Sequence, residues 1–179
     1  MKTLLALSRV IDAVNQRLAG IATWLVLLSC VISAGNATMR YAFNLSSNAW
    51  LEIQWYMFGA MFMLGASYTL KRNEHVRVDV VYGHLSTRTQ LWIDLLGAIL
   101  FLLPTTVVIG WLSWPMFINS YNLGEVSLNA GGLLRWPVKI FVPLGFALLT
   151  LQGLSEIIKR AGALTGHCPP PPHYEKPLQ

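Results

Sequence analysis

The sequence predicts an all-α membrane protein: four transmembrane helices behind an N-terminal amphipathic interfacial helix, with both termini cytoplasmic. Three observations carry that prediction. Hydrophobic residues make up 54% of the 179-residue chain and charged residues only 12%, about half the soluble share of roughly 25%. The few charges are grouped, and the runs between the groups are long enough to cross a bilayer. Lys and Arg are distributed unequally between alternate groups, which sets an orientation. The same composition excludes other classes. The chain is too hydrophobic for disorder over most of its length. Its two cysteines, Cys30 and Cys168, are too few for a disulfide scaffold. The net charge of +5 forms no basic face of the kind that binds nucleic acid.

Residues 1–17 carry Leu4, Leu7, Ile11 and Val14, continued by Leu18, at alternating spacings of three and four. That stripe predicts an amphipathic helix in the cytoplasmic interface; the alternative is a plain extension of the first span. The transmembrane domain occupies 18–160, with spans at about 18–39, 50–70, 89–118 and 134–158. They rest on uncharged runs of 22 residues after Arg17, 18 after Glu52, 30 after Asp94 and 16 after Lys139, against about 20 residues per crossing. The third is long enough to require tilt or a kink, and Pro104, followed by Thr105 and Thr106, supplies a kink site. The fourth is lengthened by Arg135 and Lys139, whose charged ends snorkel outward. Ser86 or Thr87 caps the third helix, and Pro137 suits the first turn of the fourth. In the loop from Lys71 to Arg88 the alternating Val76, Val78 and Val80 suggest a strand, but a short interfacial helix fits better, since a lone strand has no pairing partner. Residues 161–179 form a disordered proline-rich cytoplasmic tail.

With four crossings, Lys2, Arg9, Arg17, Lys71, Arg72, Arg77, Arg88, Lys159, Arg160 and Lys176 share one side, and Arg40, Arg135 and Lys139 the other. The excess places both termini inside the cell. The bilayer centre contains no Asp, Glu, Lys or Arg, so the chain has no obvious proton or ion path of its own. None of His75, His84, His167 and His173 lies mid-span, which disfavours a bis-histidine haem site. His167, Cys168 and His173 match no zinc spacing. Neither catalysis, nor a metal, nor a cofactor is expected. Cys30 reads as a small packing residue in the first span.

The remaining chemistry lies at the bilayer edges. Glu52, flanked by Trp50 and Trp55, shares the outer layer with Arg135, Trp136 and Lys139. Glu52 is expected to pair with Arg135 or Lys139, or else to reach headgroups alone. Gly59 and Gly65, with Ala60 and Ala66, allow close helix approach within the bundle or against another chain.

The run W-L-E-I-Q-W at Trp50–Trp55, then Gly59 and Gly65, then H-V-R-V-D at His75–Asp79, followed by R-W-P-V-K and P-L-G-F-A-L-L-T-L-Q within Arg135–Gln152, resembles the small membrane subunit of tripartite ATP-independent periplasmic (TRAP) transporters. The resemblance covers about Leu18 to Lys159. Ile53 departs from it, because many members carry a second acidic residue there. The resemblance implies a non-catalytic bacterial inner-membrane subunit that braces a large elevator-type membrane subunit holding the substrate and sodium sites. It implies a second partner, a periplasmic solute-binding protein docking near Asn44–Trp50 and Asn119–Leu133, and uptake of organic acids. Trp50, Glu52, Trp55, Gly59, Gly65, Arg135, Trp136 and Lys139 are then candidate subunit-interface or interfacial anchor residues, and Arg72, His75 and Asp79 candidates for shaping the cytoplasmic loop. Two other classes remain: the membrane anchor of a redox enzyme, which would bind haem or quinone, and a self-sufficient small transporter, which would work alone.

Overall fold

The computed structural model describes residues 1–45, 47–74 and 82–169. His75, Asp79, the valine alternation and most of the proline-rich tail lie outside the described residues. Among those described, the architecture is all-helical apart from one isolated antiparallel bridge, Val126 to Leu134. Helix α1 is Lys2–Phe43, α2 is Asn48–Arg72, α3 is Thr87–Asn122 and α4 is Trp136–Leu164.

Each helix outruns its apolar segment, because a helix ends where its backbone is capped and not where hydrophobicity stops. Asn44 ends α1 at φ 55°, donating its N–H to the Met39 carbonyl. Asn73 ends α2 at φ 59° with its N–H on Leu70 and Thr69. Asparagine tolerates this left-handed conformation better than most residues. The side chain of Ser86, the N-cap of α3, accepts the Thr89 N–H at 3.3 Å.

Two segments differ from expectation. Residues 1–17 form no separate helix, since α1 is one continuous 42-residue helix. No cap or breaker separates Arg17 from Leu18. Its apolar stripe is split: Leu4, Leu7 and Val14 face outward, while Ile11 is buried together with the polar Ser8 and Asn15. The second difference is in α3. A π-helical turn spans Ala98–Leu102, with the Leu103 N–H on the Ala98 carbonyl, directly before Pro104. Pro104 has no N–H, and its ring would meet the carbonyl four residues back. A widened turn absorbs both problems without breaking the helix. The Thr106 hydroxyl bonds the Leu103 carbonyl at 3.2 Å and receives the Thr150 hydroxyl of α4 at 2.9 Å.

Helix α4 is central. It packs against α1 and α2 on one side and α3 on the other. The approach to α2 is close at Gly145, where a Cβ would lie 2.8 Å from Met63 Cβ and 2.9 Å from its carbonyl oxygen. The apolar core is small, built on Ala22, Leu64 and Leu148. Large apolar side chains instead cover the outside, including Trp24, Phe101 and Trp111 at 70%, 72% and 78% exposure. Such a surface is stable only against lipid or another apolar chain. Cys30 is also on this exterior and is no internal packing residue.

Helices α1, α3 and α4 are long and apolar enough to cross a membrane. Helix α2 has the length, at 25 residues, but Gln54, Tyr56, Ser67 and Tyr68 dilute its apolar run. It lies against α1 and α4, and Ser67 is completely buried.

Candidate functional site

The polar chemistry is concentrated in two clusters at opposite ends of the bundle. At one end, residues after α3 fold back as a small hairpin. Ser127 donates its N–H to the Leu133 carbonyl at 2.9 Å, and Arg135 donates its N–H to the Glu125 carbonyl at 2.8 Å. Gly132 makes the turn possible, since a Cβ there would lie 2.6 Å from the Ser127 carbonyl oxygen.

Glu52, in the first turns of α2, is buried beneath this hairpin at 5% exposure. Its carboxylate accepts the Leu133 N–H at 2.8 Å, the Asn129 amide at 2.6 Å and the Ser127 hydroxyl. The expected pairing of Glu52 with Arg135 or Lys139 is therefore corrected. Both cations bond Glu125 instead, Arg135 at 3.1 Å and Lys139 through its ammonium. Glu125 opens the hairpin that leads through Arg135 into the first turn of α4, so its reach is short, while the Glu52 carboxylate is already filled by hairpin donors. The hydrogen bond from Lys139 leads in holding the Glu125 carboxyl down at about 2, assisted by Arg135. Trp136 stacks edge-on against Tyr121 at 5.4 Å, joining α4 to the aromatic end of α3.

The other candidates separate. Trp50 and Trp55 point outward at 52% and 71% exposure. Gly59 faces inward, with Val138 3.5 Å from where a Cβ would stand, whereas Gly65 has no neighbour within 4 Å. Arg72 forms an exposed pair with Glu74 at 3.2 Å.

The second cluster joins all four helices at the end where α1 begins and α4 ends. On α1, Asp12 receives Lys159 at 3.1 Å, Gln152 at 2.9 Å and Ser155 at 2.8 Å. Asn15 donates to Gln152 at 2.7 Å, and the Ser8 and Ser155 hydroxyls meet at 2.7 Å. Lys71 of α2 reaches the Asp12 carbonyl at 3.2 Å and Gln16 at 2.8 Å. Arg160 of α4 binds Asp94 of α3 at 3.1 Å and also Glu156, which in turn holds Lys159. None of these appeared among the sequence candidates. A signal exists in the sequence: Ser8, Asp12 and Asn15 repeat at four and three, and Gln152, Ser155 and Lys159 at three and four. Each set is one polar helical stripe, and the two stripes face one another.

Comparison with curated proteins and with solved structures gives no match. The family model described as "Tripartite ATP-independent periplasmic transporters, DctQ component" matches residues 28–162, from within α1 to near the end of α4. The chain thus belongs to the DctQ family and is a small membrane subunit of a TRAP transporter.

Proposed function

We propose that this subunit is a non-catalytic brace that crosses the inner membrane four times, holds the large elevator-type subunit in place, and helps dock the periplasmic solute-binding protein. The observation that carries this reading is the spacing of the two polar clusters. Glu52 and Lys71 on α2 are 19 positions apart, and Lys139 and Glu156 on α4 are 17 apart. At 1.5 Å per residue these are separations of about 28 and 26 Å, close to the roughly 30 Å hydrocarbon thickness. Charges thus lie at two levels, and apolar side chains cover the belt between them.

The fourth crossing is supported by α2's placement. It starts a few residues after the end of α1, and its Lys71 returns to the level of Asp12 and Gln16. A helix lying beside α1 over that length shares its path through the bilayer. The Lys and Arg excess at the terminal end supports a cytoplasmic position for both termini. In that orientation the outward apolar stripe of residues 4–14 lies at the inner interface.

The hairpin then faces the periplasm. Glu52 holds it rigidly, and Leu128 projects from it at 99% exposure, the kind of apolar knob a docking partner covers. The large subunit would supply the substrate and sodium sites for organic-acid uptake.

The test is co-expression with the large subunit and the solute-binding protein, followed by purification and uptake assays with and without this chain. Co-purification and loss of sodium-dependent uptake on its omission are expected. Unchanged uptake without the chain would overturn the brace.

A further inference from the structure

A cavity of about 980 Å³ opens at the terminal end of the bundle, between the α1–α2 pair and the start of α3. Five cations line it, Arg9, Lys71, Arg72, Lys159 and Arg160, against three carboxylates, Asp12, Asp94 and Glu156. The carboxylates are already engaged: Asp12 by Lys159, and Glu156 and Asp94 by Arg160. Arg72 is held by Glu74. Among the described residues, Arg9 and Lys71 have only neutral acceptors, the Leu5 carbonyl for Arg9 and the Asp12 carbonyl and Gln16 amide for Lys71. Among the described residues, two cations therefore face a shared space without a counter-charge. Apolar side chains also line it, Leu5 and Leu91, and the outer faces of the same two helices carry Leu4, Leu7 and Trp92 at about half exposure.

We propose that this cavity receives the phosphate of an anionic phospholipid from the inner leaflet, with its acyl chains along the apolar faces of α1 and α3. The chemistry required is one negative phosphate between Arg9 and Lys71, with apolar surface next to it. A soluble phosphate satisfies the first requirement and leaves the second unused. The inference rests on the membrane orientation argued above, but not on assembly with the large subunit.

The test uses the full chain in detergent micelles, delipidated and then given phosphatidylglycerol, phosphatidylcholine or inorganic phosphate. Bound lipid is counted by native mass spectrometry, and Tm is followed in parallel. Phosphatidylglycerol should be retained roughly thirtyfold better than phosphatidylcholine, as expected for two cations at a membrane surface, and should raise Tm. The Arg9→Gln/Lys71→Gln pair should lose the preference, and Arg9→Lys/Lys71→Arg should keep it. Arg9→Gln alone, at an exposed position, should fold normally and show a partial loss. Equal retention of both lipids, or a preference that survives in the double variant, would overturn the site. Equal stabilisation by inorganic phosphate would overturn the lipid as its occupant. Because uptake is not measured, this result is separate from that of the brace.

Discussion

Glu52 and Glu125 lie close together at the hairpin end of the bundle and do different work. Glu52 accepts three hydrogen bonds from the hairpin. Glu52→Ala strands those donors, so Tm in detergent should fall by several degrees and the hairpin amides should exchange faster. Glu125 takes the cations, so the rescuing exchange is Glu125→Lys with Lys139→Glu. Glu52→Lys with Arg135→Glu should not recover assembly, and recovery there would contradict the geometry. The pH dependence follows from the depressed carboxyl of Glu125. A carboxyl at about 2 when folded, against an ordinary value near 4.5 when unfolded, contributes its full stability above the unfolded value. That contribution disappears as pH falls from about 4.5 toward 2. Hairpin protection, read by hydrogen exchange, should be flat from pH 7 to 5 and decline below it. Lys139→Gln should shrink the decline without moving its onset, because the folded carboxyl returns toward its unfolded value.

At the scale of elements, α4 decides the packing. Gly145 lets α2 approach to a separation that leaves no room for a Cβ against Met63. Gly145→Leu should destabilise the chain by about 1–3 kcal/mol, as overpacking does, measured by thermal unfolding. Gly65 has open space around it, so Gly65→Leu should leave the fold's Tm unchanged. If it also leaves co-purification with the large subunit unchanged, Gly65 is not an interface residue. Gln152 is completely buried and joins Asn15, Asp12 and Glu156. Gln152→Leu leaves the Asn15 amide buried without an acceptor, a cost of about 1–3 kcal/mol. Hydrogen exchange should rise over residues 2–17 and stay constant at the hairpin, because the polar stripe is what holds that end of α1 to α4.

Across the whole molecule, the proposed orientation puts the two polar layers on opposite sides of the membrane. A cysteine at Leu128 in a Cys30→Ser/Cys168→Ser background should react with a membrane-impermeant maleimide in intact cells. A cysteine at Gly166 in the same background should react only after the membrane is opened. The reverse pattern would invert the orientation, and labelling of both in intact cells would contradict an even number of crossings. The exposed apolar belt, from Trp24 on α1 to Phe101 and Trp111 on α3, is the surface that the proposed assembly offers to lipid and to the large subunit.

The sequence by itself determined the class and the limits of this protein. Scarce, grouped charge required long apolar helices, and the motifs around Glu52 and Arg135 carried the family. Local rules were legible where their cause is local: Ser86 as a cap, and Pro137 in a first turn. Only the tertiary structure decided which groups meet. Glu52 lies on α2 and its donors on a hairpin about 80 residues later, so the spacing in the chain could not rank Glu125 above Glu52 as the partner of Lys139. The fate of residues 1–17 was hidden for a related reason. Their apolar stripe was conspicuous, but in a membrane apolar side chains are satisfied by lipid, so hydrophobicity does not mark the packed face. The polar stripe of Ser8, Asp12 and Asn15 marks it, because buried polar groups need partners, and α4 supplies them.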